Sequence, residues 1–143
     1  MQIEKEKIKP PLASLVYGSV VYWVTIIGSV IALIGSVIAF ISQANFVGTS
    51  YWFSSLWQGG STQEIWEGTG GSPPVGHWYL SHLTAGDGLA ALGISVGVFS
   101  VTLAMVVVAI VLFRKEEITF GILALTTAII ITIAMLSLIP LPL

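Results

Sequence analysis

The chain contains no cysteine, and only 8% of its 143 residues are charged. The missing thiols exclude disulfide frameworks, thiolate zinc sites, iron–sulfur clusters and cysteine nucleophiles. The five basic and seven acidic residues are too few to cover a soluble globule, whose surface is normally about a quarter to a third charged. The composition therefore excludes a soluble enzyme. Five basic residues also provide no electrostatic footprint for nucleic acid.

Hydrophobic residues make up 55% of the chain, and the mean hydropathy is +0.96. Residues 10–63, 88–113 and 118–143 contain no charge at all. A helix of about 20 apolar residues crosses a hydrocarbon core of about 30 Å. We therefore predict an all-α integral membrane protein, a single membrane domain over residues 1–143. Its three transmembrane helices should lie at about 12–41, 89–113 and 118–138, with a long outer loop over about 42–87.

Proline and charge mark the ends of these spans. Pro10 and Pro11 precede the first span, and Pro140 and Pro142 end the third. The charged turn at 114–117 is so short that the second and third spans must be adjacent and antiparallel. A secretory signal peptide is the competing interpretation of the first span, but its thirty apolar residues exceed the apolar region of about 7–15 residues in such peptides.

All five basic residues fall on one side of the predicted spans. Three lysines lie in residues 5–9, and Arg114 and Lys115 follow the second span, whereas residues 42–87 contain no Lys or Arg. By the positive-inside rule, the N-terminus and the 114–117 turn are cytoplasmic. The outer loop and the C-terminus then lie outside, which predicts an integral protein of a prokaryotic cytoplasmic (inner) membrane.

The first span contains a seven-residue repeat, in which Ile-Gly-Ser-Val-Ile-Ala-Leu at 27–33 is followed by Ile-Gly-Ser-Val-Ile-Ala-Phe at 34–40. Small residues that let backbones approach are what drives helix association in a bilayer. Three helices have few mutual contacts to make, so we expect partner helices as well. The alternative is that glycine is simply common in membrane helices. The predicted helix-packing interface comprises Gly28, Ser29, Ala32, Gly35, Ser36, Ala39, Gly93 and Gly97.

The outer loop holds four of the five tryptophans, Trp52, Trp57, Trp66 and Trp78. Ser61 and Glu64 form a capping-box pattern that predicts a short helix, and residues 49–50 are suited to start another. Two interpretations of the aromatic residues remain open and can coexist. The loop lies flat in the membrane interface, or it forms a docking surface for the extracytoplasmic domain of a partner.

Candidates for chemistry are few, since His77 and His82 are the only imidazoles. Five residues turn an α-helix by roughly 140°, so the two rings could not face one metal from a regular helix. No catalytic motif is present, and we predict neither enzymatic activity nor a metal site. A sharper hypothesis makes His82 an axial ligand of a haem or chlorophyll, and a second haem ligand would come from His77 or from another chain. The alternative is that both are interfacial residues hydrogen-bonded to the loop backbone.

The general plan of three spans, minimal inner connections and an aromatic outer loop resembles that of the small accessory subunits around the catalytic cores of respiratory and photosynthetic complexes. This resemblance in plan implies a non-catalytic accessory or structural subunit of an electron-transfer assembly, without a cofactor. Its partners would be other membrane-protein subunits and the lipid bilayer. The alternatives are a cofactor-binding subunit that uses His82, and a small pore-forming or transporter-associated homo-oligomer.

Overall fold

The structure, a computed structural model, describes residues 9–42, 45–68 and 76–136, and these residues form helices and short connections without a β-strand. The elements in chain order are α1 (Leu12–Ile41), α2 (Thr49–Trp57), α3 (Thr62–Glu67), a 3₁₀ turn (Trp78–Ser81), α4 (Gly86–Arg114) and α5 (Ile118–Met135). The helices α1, α4 and α5 are long and apolar enough to cross a membrane. The predicted all-helical fold with three apolar helices of spanning length is confirmed.

The boundaries of the long helices follow the charge-free runs closely. Helix α1 begins and ends where the hydropathy predicts, whereas α4 begins at Gly86, three residues before the predicted start. The reason is that Asp87, which hydropathy assigns to the loop, lies in the first turn of α4, where a carboxylate is favourable. Helix α5 is described as far as Met135. Its predicted end at 138 and the closing prolines lie outside the described residues.

The α4–α5 connection reverses the chain within a few residues. The Glu117 N–H donates to the Leu112 carbonyl at 3.0 Å and the Glu116 N–H to the Phe113 carbonyl at 3.2 Å, the pattern that ends helices with a left-handed residue. Glu116 accordingly has a φ of 63°. Helix α5 therefore returns directly along α4, where Gly121 lies so close to the Phe113 ring that a Cβ would come within 2.7 Å of it.

Helices α1 and α4 pack as an antiparallel pair, backbone against backbone. A Cβ added to Gly28 would come within 2.6 Å of the Gly93 carbonyl and 2.8 Å of the Gly97 amide. A Cβ on Gly35 would overlap the backbone of Ala90. Successive contact residues on α1 are separated by three or four positions. Their partners on α4 are separated by the same numbers of positions in the opposite direction. The same pattern brings Ala32 against Gly93 and Ala39 against Gly86. These residues are called the glycine seam below.

The seam continues at Thr25, whose Oγ1 lies 3.2 Å from Oγ of Ser100. The Ser100 hydroxyl donates to the Gly97 carbonyl at 2.6 Å, and a serine has only one hydroxyl hydrogen. Thr25 is therefore the donor to Ser100, which is almost fully buried. The steps of three and four residues average 3.5, the repeat at which two helices stay in contact by supercoiling to the left.

A larger apolar cluster closes the opposite end of the helix pair. Val108, Ala109 and Leu112 of α4 are buried against Ala124 of α5. From α1, Ala13 and Tyr17 pack against the same cluster. Helix α4 is therefore the central element, with α1 along its length and α5 returning from its C-terminal end.

The glycine seam yields a prediction with an internal control. Gly28→Ala and Gly35→Ala should each destabilise the protein, because the added methyl meets backbone that cannot move aside, and such overpacking costs about 1–3 kcal/mol. Gly18→Ala is the matched control in the same helix, since nothing lies within 4 Å of a Cβ there. It should raise stability by up to about 1 kcal/mol through helix propensity. Thermal unfolding in detergent measures all three, and a gain in stability for Gly28→Ala would contradict the packing.

Candidate functional site

The most elaborate side-chain arrangement among the described residues lies where α1 ends and α4 begins. Asn45 closes the end of α1, because its amide nitrogen donates to the Ala39 carbonyl at 2.6 Å and to the Ser42 carbonyl at 3.3 Å. These carbonyls belong to the last turn, which lacks partners within the helix. The two donated bonds fix the orientation of the amide. Its Oδ1 is buried, and no hydrogen-bond donor among the described residues reaches it.

Asp87 ties this segment to the first turn of α4. One carboxylate oxygen accepts the Phe46 N–H and the other accepts the Val47 N–H, both at 3.1 Å. The first oxygen also accepts the Gly88 N–H at 2.9 Å. Hydrogen bonds to a charged acceptor are about twice as strong as neutral ones. The single carboxylate therefore fixes both the start of α4 and the path of the chain after α1.

Three of the four loop tryptophans meet beside this carboxylate. Their rings border a cavity of about 290 Å³, lined by Ala39, Asn45, Val47, Trp52, Trp66, Trp78 and Asp87, which is called the aromatic pocket below. The Trp52 and Trp66 rings lie 5.6 Å apart at 84°, so they form two walls at nearly a right angle. The lining contains one carboxylate and no basic residue.

Trp78, the third tryptophan of the aromatic pocket, packs against a second group of rings. Trp78 lies 5.1 Å from the ring of Phe46, and Phe46 in turn meets the ring of His82 edge-on at 4.6 Å. Edge-to-face and tilted arrangements of this kind are favourable for aromatic rings. Because Asp87 also binds the backbone of Phe46, the carboxylate and the Trp78 wall are connected through one residue.

Trp66, another wall of the aromatic pocket, lies on α3. This helix begins with the capping box that the sequence predicts. The Ser61 hydroxyl accepts the Glu64 N–H at 3.3 Å, and the Glu64 carboxylate accepts the Ser61 N–H at 2.8 Å. The hydrogen bonds that the Glu64 carboxylate makes with Ser61, first with its backbone N–H and then with its side chain, lower the pKa of Glu64 below its usual value of 4.5. Because the folded state therefore binds the carboxyl proton less readily than the unfolded state, these bonds stabilise α3 above pH 4.5, and this stabilisation is lost as the pH falls through the lowered pKa.

His82 is held in place by hydrogen bonds and ring contacts with its neighbours. Its Nδ1 lies 3.0 Å from the Trp78 carbonyl, and a carbonyl can only accept, so Nδ1 carries a hydrogen. Its own carbonyl accepts the Ala85 N–H and lies against Gly88, which has no room for a side chain. The Nδ1 hydrogen bond leaves the lone pair of the neutral ring on Nε2.

His77 lies at the other end of the 3₁₀ turn, exposed, with its Nδ1 3.1 Å from the Tyr79 hydroxyl. The turn separates the two histidines, and each is engaged by different aromatic neighbours. Within residues 9–42, 45–68 and 76–136, no three His, Asp or Glu side chains are grouped closely enough to hold a metal ion.

The remaining predicted site residues do not lie together. Gly28, Ala32, Gly35, Ala39 and Gly93 lie in the glycine seam, and Gly97 joins it through its backbone, although a Cβ on Gly97 would meet no described atom within 4 Å. Ser29 and Ser36 are exposed, and the Ser36 hydroxyl donates to the Ala32 carbonyl of its own helix at 2.8 Å. Trp57 is set apart from the other loop tryptophans, since it lines no part of the aromatic pocket and is 88% exposed.

Sequence reasoning did not identify the roles of Asn45 and Asp87. The only available signal was that Asp87 is the one carboxylate of the outer loop that adjoins a span. The Asp87 carboxylate accepts hydrogen bonds from two backbone N–H groups that are about forty residues away in the chain. Backbone contacts over such a separation leave no signature in the sequence.

Three comparisons with known proteins bear on the chain. A protein-family model matches residues 13–138, which cover the three long helices except for Leu12. A protein of uncharacterised function from Archaeoglobus fulgidus is 28% identical over 116 residues, which cover 80% of this chain and 75% of that protein. No solved structure matches the chain.

Proposed function

We propose that the chain, which belongs to the protein family matched over residues 13–138, is a non-catalytic accessory subunit of a larger membrane-embedded complex. The observation that carries this proposal is an exposed apolar face on α2. Phe53, Leu56 and Trp57 all lie on this face, and all three are more than half exposed. Helix positions separated by three and four residues share one side, and α2 contains no charged residue.

The exposed apolar face of α2 is suited to contact with a partner rather than to packing within the chain. Trp52 lines the aromatic pocket, whereas Phe53, Leu56 and Trp57 do not, so α2 is anchored through Trp52 and leaves these three side chains exposed. Exposed aromatic patches without charge are typical of the centres of protein interfaces, where Trp is enriched. The neighbouring Glu64 and Glu67 are exposed. The partner surface that fits is therefore an apolar patch bordered by basic residues, on an extracytoplasmic domain.

The glycine seam provides no support for partner helices, because Gly28 and Gly35 are already occupied by α4. Ser29 and Ser36 remain available on another side of α1, and small polar side chains of this kind hydrogen-bond across membrane helix pairs. A partner helix along these two serines is consistent with the proposal. That the complex carries out electron transfer stays a prediction from the resemblance in plan.

We further propose the orientation that the basic residues predict. The antiparallel seam brings the start of α1, with Lys9, to the same end as Arg114 and Lys115 at the end of α4. The acidic outer segment lies at the other end. Under the positive-inside rule this supports an N-terminus in the cytoplasm, with residues 42–87 and the C-terminus outside the cytoplasmic membrane.

Single cysteines test the orientation, since the chain has none of its own. Gln63→Cys on α3 should react with a membrane-impermeant thiol reagent in intact cells. Glu117→Cys in the α4–α5 turn should react only after the membrane is broken. Both side chains are exposed, so accessibility to the reagent differs only by the side of the membrane. Reversed labelling of the two variants would contradict the orientation.

The α2 face predicts a specific loss of partners. Trp57→Ser should markedly reduce the amount of larger membrane proteins that co-purify with the tagged chain from native membranes in mild detergent. Removing a tryptophan from the centre of an interface costs about 2 kcal/mol or more. Leu80→Ser is the control, because Leu80 is exposed in the 3₁₀ turn, outside α2. Equal recovery for Trp57→Ser and the unmodified chain would contradict partner docking and favour contact with lipid.

A cofactor-binding subunit is the second candidate, and one observation favours it. An Nδ1 hydrogen bond to a backbone carbonyl, as in His82, is the usual way in which a histidine presents Nε2 to a metal. His82 is already engaged by Phe46 and Trp78, so the accessory role remains our proposal. We expect His82→Leu to leave the visible absorption spectrum of the purified assembly unchanged. Loss of a haem or chlorophyll band, with the assembly intact, would favour the cofactor-binding subunit.

A further inference from the structure

We propose that the aromatic pocket is a binding site for a small organic ammonium ion. Trp52, Trp66 and Trp78 supply the walls, and Asp87 supplies the negative charge. The site is distinct from the exposed face of α2, and its occupancy does not depend on the accessory role. Two sources offer this chemistry, a free ammonium compound and the ammonium group of a lipid headgroup.

The geometry of the walls is the first argument. Trp52 and Trp66 stand at 84° with their centroids 5.6 Å apart, so a group in the corner meets one ring by its face and the other by its edge or face. The face of a tryptophan carries the negative part of the ring quadrupole and is the best aromatic surface for a cation. Aromatic walls at right angles are the arrangement that suits a bulky ammonium group, since its charge is spread over its surface.

The charge of the site is the second argument. Asp87 contributes the only ionisable side chain of the lining, and its described hydrogen bonds come from backbone N–H groups rather than from a cation. The whole outer segment, residues 42–87, contains no Lys or Arg that could neutralise it. A positive ligand is therefore complementary to the pocket, and an anion is disfavoured.

The size of the pocket limits the ligand. A cavity of about 290 Å³ is just below the range of volumes for small-molecule sites, which is about 300–1,000 Å³. It accommodates a compact group such as trimethylammonium with a short substituent. It cannot enclose a polyamine or a nucleotide. The proposed ligand class is therefore a single ammonium group, either free or at the end of a longer molecule.

Choline and its uncharged isostere 3,3-dimethyl-1-butanol provide the decisive comparison, because the two differ in charge and hardly in shape. The full chain is reconstituted in vesicles of phosphatidylglycerol, which has no ammonium group, and binding is measured by calorimetry. We expect choline to bind at least about tenfold more tightly than the isostere, within the range that a desolvated cation–π contact provides. The proposal would be overturned if both compounds bound with equal affinity. It would also be overturned if neither compound bound in phosphatidylglycerol or in phosphatidylcholine vesicles.

Variants connect the binding to the pocket. Trp52→Leu keeps an apolar wall but removes the ring face, so it should weaken choline binding by about tenfold and leave the isostere unaffected. Trp57→Leu is the matched control on the same helix, since Trp57 does not line the pocket, and it should bind choline normally. Asp87→Asn should also weaken binding. Because Asp87 holds the loop as well, its helix content and thermal unfolding are compared with those of the unmodified chain. Equal losses for the Trp52 and Trp57 variants would place the binding elsewhere and contradict the site.

Reconstitution in phosphatidylcholine separates the two sources. If a lipid headgroup occupies the pocket, free choline should no longer bind in this lipid, because the headgroup already fills the site. If the ligand is a free compound, choline should bind with the same affinity in both lipids. Either result supports an ammonium site and identifies its source.

Discussion

The close approach of α1 and α4 is the constraint on which the rest of the structure depends. Gly28 and Gly35 bring two backbones together at distances that no side chain permits, and this contact fixes the longitudinal position of one helix on the other. Dispersion between closely packed backbones replaces the hydrophobic effect, which is absent between helices in lipid. The end of α1 then lies beside Asp87 at the start of α4, where the carboxylate can reach Phe46 and Val47.

The aromatic pocket is thus a consequence of helix register. The Asp87 hydrogen bonds place Phe46, and Phe46 supports Trp78, while α2 and α3 add the other two walls. Few buried apolar residues stabilise this outer part of the chain, and Val47 and Ile65 are the buried hydrophobic side chains described there between α1 and the 3₁₀ turn. Its order depends on directional bonds to a few polar groups. A ligand in the pocket would therefore contribute to the stability of the loop itself.

The sequence predicts those features of the fold that have local causes. Hydropathy locates the three long helices. Ser61 and Glu64 predict the start of α3, because both partners of the capping box lie within one turn. The repeat predicts a small-residue contact surface but not which helix covers it. Ser29 and Ser36 are exposed since a period of 3.5 directs only two positions in seven at a single neighbour. Asn45 and Asp87 act on distant backbone groups, which only the assembled helix pair brings within reach.

The duplicated heptad in α1 creates a degeneracy that the molecule must resolve. Sliding α1 by seven residues, about 10.5 Å along its axis, would exchange one Gly-Ser-Val-Ile-Ala unit for the other in the contact. Shifted one way, Val21 would take the place of Gly28 against the Gly93 carbonyl, and shifted the other way, Ser42 would take the place of Gly35. Both errors put a side chain where only hydrogen fits. Because the repeat has only two units, a shift of α1 by seven residues in either direction brings a side chain from outside the repeat into the contact. The ends of the repeat therefore favour one alignment of α1 against α4.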